Sequence, residues 1–194
     1  MLARDTTVRR APMEVFWGEP APLEHSVQIY SDDSLFMDAL EGYASGGLRL
    51  GESVIVIATK SHRRAVERRL RARGYDVDQA TAGDHYIPVD AEEALSQFMV
   101  DGQPDESLFN ALVDGLFARA SVEGRRVRAF GEMVVLLCNE GNDSATVRLE
   151  RLWNQYLERA VFSLFCAYPR SSFNGDAAAA MQEICSHHSR VIPE

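Results

Sequence analysis

The run Ser53-Val54-Ile55-Val56-Ile57-Ala58 constrains this chain more than any other stretch. Its apolar residues do not alternate with polar ones, so a strand built from it has no face to give to water and must be covered on both sides. Val161-Phe162-Ser163-Leu164-Phe165-Cys166-Ala167-Tyr168 is a second run of the same kind, stopped by Pro169. Strands like these need helical layers above and below, and the intervening chain supplies them. Leu35, Phe36, Ala39, Leu40, Tyr43 and Ala44 recur at helical spacing, and Leu108, Phe109, Leu112, Val113, Leu116, Phe117 and Ala120 do so more clearly. Strands that alternate with helices predict parallel pairing, because each parallel connection needs a crossover. The expected fold is one α/β three-layer sandwich, with a mostly parallel sheet of about five strands and helices on both faces.

The element boundaries follow from local chemistry. His25 to Tyr30 reads as the first strand, and Ser31-Asp32-Asp33-Ser34 offers groups that cap a helix start. Gly46-Gly47 is expected to end that first helix, and Gly51 to turn the chain into the second strand. Tyr75 to Asp84 is polar and short, and is given at most a brief extended segment. In His85-Tyr86-Ile87-Pro88-Val89, Pro88 is expected at a strand end because it cannot donate a ladder hydrogen bond. Val127 to Val134 is taken as a strand with Gly131-Glu132 near its C-terminal end, the apolar residues continuing to Cys138. A last helix is expected from Asp176 to about His187. Residues 1–24 carry Pro12, Pro20, Pro22 and the pair Phe16-Trp17 without sustained periodicity, which predicts a flexible or loosely docked arm ahead of the domain.

Charge narrows the class of partner. The formal net charge of −9 over 194 residues argues against a nucleic-acid binder, which needs a basic face to displace counterions. One basic patch runs against that average: Lys60, Arg63, Arg64, Arg68, Arg69, Arg71 and Arg73 face a single Glu67. It is either a solvated helix face or a docking patch for an acidic partner or phosphate. The first residues do not form a secretory signal and no apolar run is long enough for a membrane helix, so a cytoplasmic protein is expected. Cys138, Cys166 and Cys185 read as buried thiols. Cys185 and His188 have a spacing that metal sites use, but two ligands fall short of the usual three or four, so no metal and no cofactor are expected.

A strand that feeds a helix through a short polar turn places free backbone N–H groups and a helix N-terminus where α/β proteins bind ligands. In this chain that turn is Thr59-Lys60-Ser61-His62-Arg63. It lacks the glycines of a phosphate loop, and His62, Arg63 and Arg64 would crowd a phosphate. Glu132 at another strand end points toward the same crevice; it either binds a ligand or is a buried carboxylate satisfied by Arg128 or a backbone amide. Tyr30 and Asp32 should face that crevice too, if the strands are parallel. His25 begins a strand, away from the edge where such sites form, and is expected to be a hydrogen-bonded structural imidazole. Cys166 lies inside an apolar strand that keeps its thiol protonated, so no activated nucleophile is expected.

The order of several motifs resembles a known family. They are His25 with Tyr30, the Gly46 to Glu52 run followed by Thr59, and Arg128 with Gly131-Glu132-Met133. Further along come Gly141-Asn142, Leu149-Glu150 with Leu152-Trp153-Asn154, Ser163 to Pro169, and Cys185 with His188, Val191 and Pro193. Together they are similar to the MEDS domain, the methanogen/methylotroph DcmR sensory domain, over residues 25–193. The resemblance implies a RecA/KaiC-like core without the Walker A motif, and a ligand-sensing module for small hydrocarbon derivatives, often attached to a DNA-binding head or a kinase. Residues 1–24 are too short for such a head. The expected function is a non-catalytic sensor that binds a small molecule through Tyr30, Asp32, Thr59, Lys60, Ser61, His62, Arg63 and Glu132. A regulatory protein would dock on the basic helix Arg63–Arg73, with no direct nucleic acid, no membrane, and a homodimer as a further option. The alternatives are a nucleotide-binding or weakly hydrolysing KaiC-like relative and a ligand-free interaction scaffold.

Overall fold

The computed structural model describes residues 23–173, 182, 185, 186 and 188–192. A six-stranded sheet forms the middle layer, with strands β1 (His25–Tyr30), β2 (Ser53–Ala58), β3 (Tyr86–Asp90), β6 (Val127–Gly131), β7 (Phe162–Pro169) and β8 (Arg190–Ile192). Their spatial order is β3-β2-β6-β7-β1-β8, and every pairing is parallel. A two-residue hairpin, β4 (Met99–Val100) with β5 (Gln103–Pro104), stands apart from it. The sheet therefore has one strand more than the sequence predicts. The addition is β8, whose three residues are too few to show a period.

Helices α1 (Asp33–Arg49), α2 (Lys60–Ala72) and α3 (Val77–Ala82) cover one face. Their apolar residues join Val54, Val56, Phe130 and Phe165 in one core. Helices α4 (Ala91–Ser96), α5 (Glu106–Ala120), α6 (Met133–Asn139) and α7 (Asp143–Arg159) cover the other face, where they pack on Ile55, Ile57, Ala129 and Leu164. Successive residues of β2 thus belong to opposite cores, which is why that strand is apolar at every position after Ser53. Burying both faces is the main drive for this architecture.

Several boundaries differ from expectation, each for a physical reason. Gly46 and Gly47 lie inside α1, which ends at Arg49 with Leu50 as its C-cap. A Cβ on Gly47 would meet Val54 Cγ2 at 2.7 Å and Arg128 Cδ at 3.0 Å, so the glycine allows close approach of helix to sheet. The turn itself falls to Gly51, at φ +72°. Residues 77–82 form a helix, capped by Asp76 through the amide of Gln79 at 2.9 Å. Pro88 lies in the middle of β3, opposite Val56; an edge strand tolerates it because one side of its ladder is unpaired. The apolar run after Gly131 is the helix α6, and not a longer strand. The expected closing helix, Asp176 to about His187, falls mostly outside the described residues, as does the arm before Leu23.

The N-terminal half of the sheet is tied by a buried ion pair. Arg128, 1% exposed, donates from Nε to Glu52, which also meets Arg126 at 3.3 Å. The Arg128 guanidinium also donates to the Tyr43 carbonyl at 3.3 Å and sits 5.5 Å from the centre of that ring. Arg128 and Glu132 therefore stand at opposite ends of β6, and the pairing between them that the sequence left open is not made.

Candidate functional site

The C-terminal ends of β1, β2 and β6 rise to the same edge of the sheet, bringing Tyr30, Thr59 and Glu132 together. The last ladder bond from β6 to β2 is the Glu132 N–H donating to the Ile57 carbonyl at 2.9 Å, and α6 begins directly after it at Met133. The Glu132 side chain then folds over the end of β2. Its Oε2 accepts the Thr59 backbone N–H at 2.8 Å, and its Oε1 lies 2.6 Å from His62 Nδ1 in the first turn of α2. Glu132 is 5% exposed, so both oxygens are engaged in a nearly dry setting.

Two aromatic rings wall this pair. Phe36 of α1 stacks on Tyr30 at 4.8 Å and meets the His62 ring edge-on at 5.1 Å. Burial, with the nearby Asp33 and Glu132 carboxylates, pushes the Tyr30 phenol well above its usual range. The hydrogen bond to Glu132 raises His62 above the ordinary imidazole value, with the Asp33 charge adding to the effect against partial desolvation. A protonated His62 presents a second N–H, from Nε2, on a side chain that keeps 24% of its surface exposed. The result is a buried carboxylate under two apolar rings at the sheet edge, with the imidazole as its partly exposed partner.

The remaining predicted residues take other places. Asp32 caps α1 through the Ser34 amide at 2.7 Å, and that hydrogen bonding holds its carboxyl below the usual range. Arg63 turns away from the crevice: Nε donates to the Ala58 carbonyl at 3.2 Å and NH2 to Asp90 at 2.5 Å, tying β2 to β3. Lys60 and Ser61 are exposed at the rim, where the Ser61 hydroxyl lies 3.1 Å from that of Thr59. Phe36 and Asp33 belong to the crevice but were not among the expected ligands. Their place at the start of α1, directly after β1, was the available signal.

Along α2 most of the positive charge is met within the molecule. Arg69 pairs with Asp38, Arg71 with Asp78 and Glu67, and Arg73 with Glu41. Lys60, Arg64 and Arg68 are exposed and make no ion pair with the described residues. They recur every four residues, so they share one face of the helix.

A second cluster lies under the opposite face, between β1, β7 and α7. His25 Nδ1 sits 2.8 Å from Asn154 Oδ1, while its Nε2 is 3.5 Å from Cys166 Sγ and 3.6 Å from Glu150 Oε2. Glu150 Oε1 accepts the Tyr168 hydroxyl at 2.5 Å, and His188 Nε2 lies 3.7 Å from the same oxygen. The His25 and His188 rings are 3.9 Å apart. His25 is thus the hydrogen-bonded buried imidazole the sequence predicts, in company it does not predict. His188 is drawn into the interior, its side chain wholly buried. Every member of this cluster was also a residue on which the family resemblance rested.

Residues 24–189 match the family profile described as MEDS, the MEthanogen/methylotroph, DcmR Sensory domain. The chain belongs to the MEDS family. No curated protein sequence matches it. As a MEDS domain it is a sensory module, and both clusters lie within the matched span. No helix among the described residues of this MEDS domain is long and apolar enough to cross a membrane.

Proposed function

We propose that this MEDS domain is a non-catalytic sensor that takes a small molecule at the crevice above β1, β2 and β6 and reports its occupancy through protein contacts. The supporting observation is the Glu132–His62 pair at a strand end, walled by Tyr30 and Phe36. A ligand suited to such a place has a short apolar body for the rings and one acceptor for His62 Nε2, which describes a small oxygenated or halogenated hydrocarbon. Holding is favoured over turnover because Glu132 is committed at both oxygens and cannot also activate water. Ligand binding would be felt by α2, since His62 and Thr59 stand at its first turn. The exposed stripe Lys60, Arg64 and Arg68 is then the surface that an acidic partner would read.

The test is thermal shift of the full chain against short alcohols, aldehydes and halomethanes, with native mass spectrometry of freshly purified protein. A saturable stabilisation that His62→Ala and Glu132→Gln both abolish supports the sensor. Stabilisation by Mg²⁺-ATP that Lys60→Ala removes, with no response to the small molecules, replaces it with a nucleotide-binding reading. No response to either class leaves only the scaffold and overturns the proposal.

A further inference from the structure

The cluster under β1, β7 and α7 has the composition of a metal site. Two imidazoles, one thiol and one carboxylate contribute ligand-type atoms that all lie within 4.8 Å of one another, and three of the four residues are buried. The fourth, His188, has a side chain with 0% exposure. Nitrogen, sulfur and oxygen in this proportion suit a borderline-soft divalent ion. Bonds of about 2.0–2.3 Å at tetrahedral angles put neighbouring ligand atoms about 3.4–3.6 Å apart. The contacts of His25 Nε2 to Cys166 Sγ at 3.5 Å and to Glu150 Oε2 at 3.6 Å match those edges, and His188 Nε2 lies 3.7 Å from the other oxygen of the same carboxylate, Oε1.

The surrounding groups point the same way. Asn154 Oδ1 faces His25 Nδ1, which places the N–H there and turns the Nε2 lone pair inward, and the Tyr168 hydroxyl steadies the Glu150 carboxylate. Outer contacts of this kind fix the tautomer and aim of metal ligands. We infer that His25, Glu150, Cys166 and His188 form a closed tetrahedral site for Zn²⁺ or an ion of the same class. On binding, the Cys166 thiol loses its proton to solvent and the thiolate sulfur donates to the metal. With four protein ligands there is no open coordination position, so the ion clamps and does not catalyse. What it clamps is the segment leading into β8, which His188 carries onto β1, β7 and α7. Burial and the Glu150 charge otherwise hold that thiol protonated, so the ion's own charge is what stabilises the thiolate.

The experiment strips the full chain with a chelator and titrates it with Zn²⁺ or Co²⁺ alone. One equivalent of Zn²⁺ should bind, and Co²⁺ should give tetrahedral d–d bands together with a thiolate-to-cobalt charge-transfer band. Cys166→Ser should abolish the charge-transfer band, while Cys138→Ser and Cys185→Ser should keep it. Asn154→Ala, which removes no ligand, should weaken Zn²⁺ about 10- to 100-fold, and this variant decides the matter if Cys166→Ser does not fold. Binding well below one equivalent, an octahedral Co²⁺ spectrum, or a charge-transfer band that survives Cys166→Ser would overturn the assignment. None of these readouts involves the crevice at Glu132, so the two proposals fail separately.

Discussion

His62 is the residue whose charge this fold controls most directly. Its pKa is raised in the folded state, first by the hydrogen bond to Glu132. A raised folded-state value means that the stabilisation is complete below the unfolded imidazole pKa of about 6.5 and fades as pH climbs through the folded value. The stability difference between wild type and His62→Leu should therefore be largest near pH 6, about 1 kcal/mol, and should shrink by about pH 9; urea melts at the two values measure it. Arg128 makes a different prediction. Because its partner Glu52 is 4% exposed, Arg128→Met leaves a buried carboxylate with only the more exposed Arg126 and should cost about 3 kcal/mol, whereas the double variant with Glu52→Leu should recover much of the loss. A double variant no more stable than the single one would remove the ion pair from the account. Residue type alone could not choose Glu52 over Glu132 as the partner of Arg128. Side chains alternate along a strand, but which end of β6 meets which loop depends on the sheet order.

Among the elements, α1 shows how a helix can be made to lie flat on a sheet. Gly47→Ala would place a methyl 2.7 Å from Val54 and press on Arg128. It should destabilise by about 1–3 kcal/mol and lower Tm by several degrees in a circular-dichroism melt, although alanine is the better helix former. A neutral or stabilising result would mean that α1 stands further from β2 than described. The sequence showed β1, β2, β7, α1 and α5 plainly, because each carries either a strong period or an unbroken apolar run. It did not show where β6 gives way to α6, since the run Met133–Cys138 is apolar on every side of its helix and has no polar face to mark its period. The crevice was legible in part: Thr59, His62 and Glu132 were recognisable as strand-end groups, while Phe36 enters only through packing. The cluster around Cys166 was the least legible, because its members are spread from residue 25 to residue 188 and meet only through the β1–β7 register and the approach of His188. One signal was present, since Glu150 interrupts the apolar stripe Leu149, Trp153, Tyr156 with a carboxylate that a buried position does not ordinarily accept.

For the molecule as a whole, the two edges of the sheet are protected unequally. On one side β3 carries Pro88, which discourages a further strand. On the other, among the described residues, the three residues of β8 are what pairs with the outer edge of β1. Removing residues 190–194 should bare the edge of a strand that is buried along its length, and the truncated chain should scatter light at concentrations where the full chain stays monodisperse; equal solubility would show that β8 is dispensable. The position of β1 has one more effect. Within this domain β1 leaves the ribosome well before both of its sheet neighbours, β7 and β8, which come last among the described strands. At 5–20 residues per second, β1 waits on the order of ten seconds for a partner. Until then α1 is the layer nearest in sequence that can shield it, and the nascent chain in that interval is the form of this protein most in need of a chaperone.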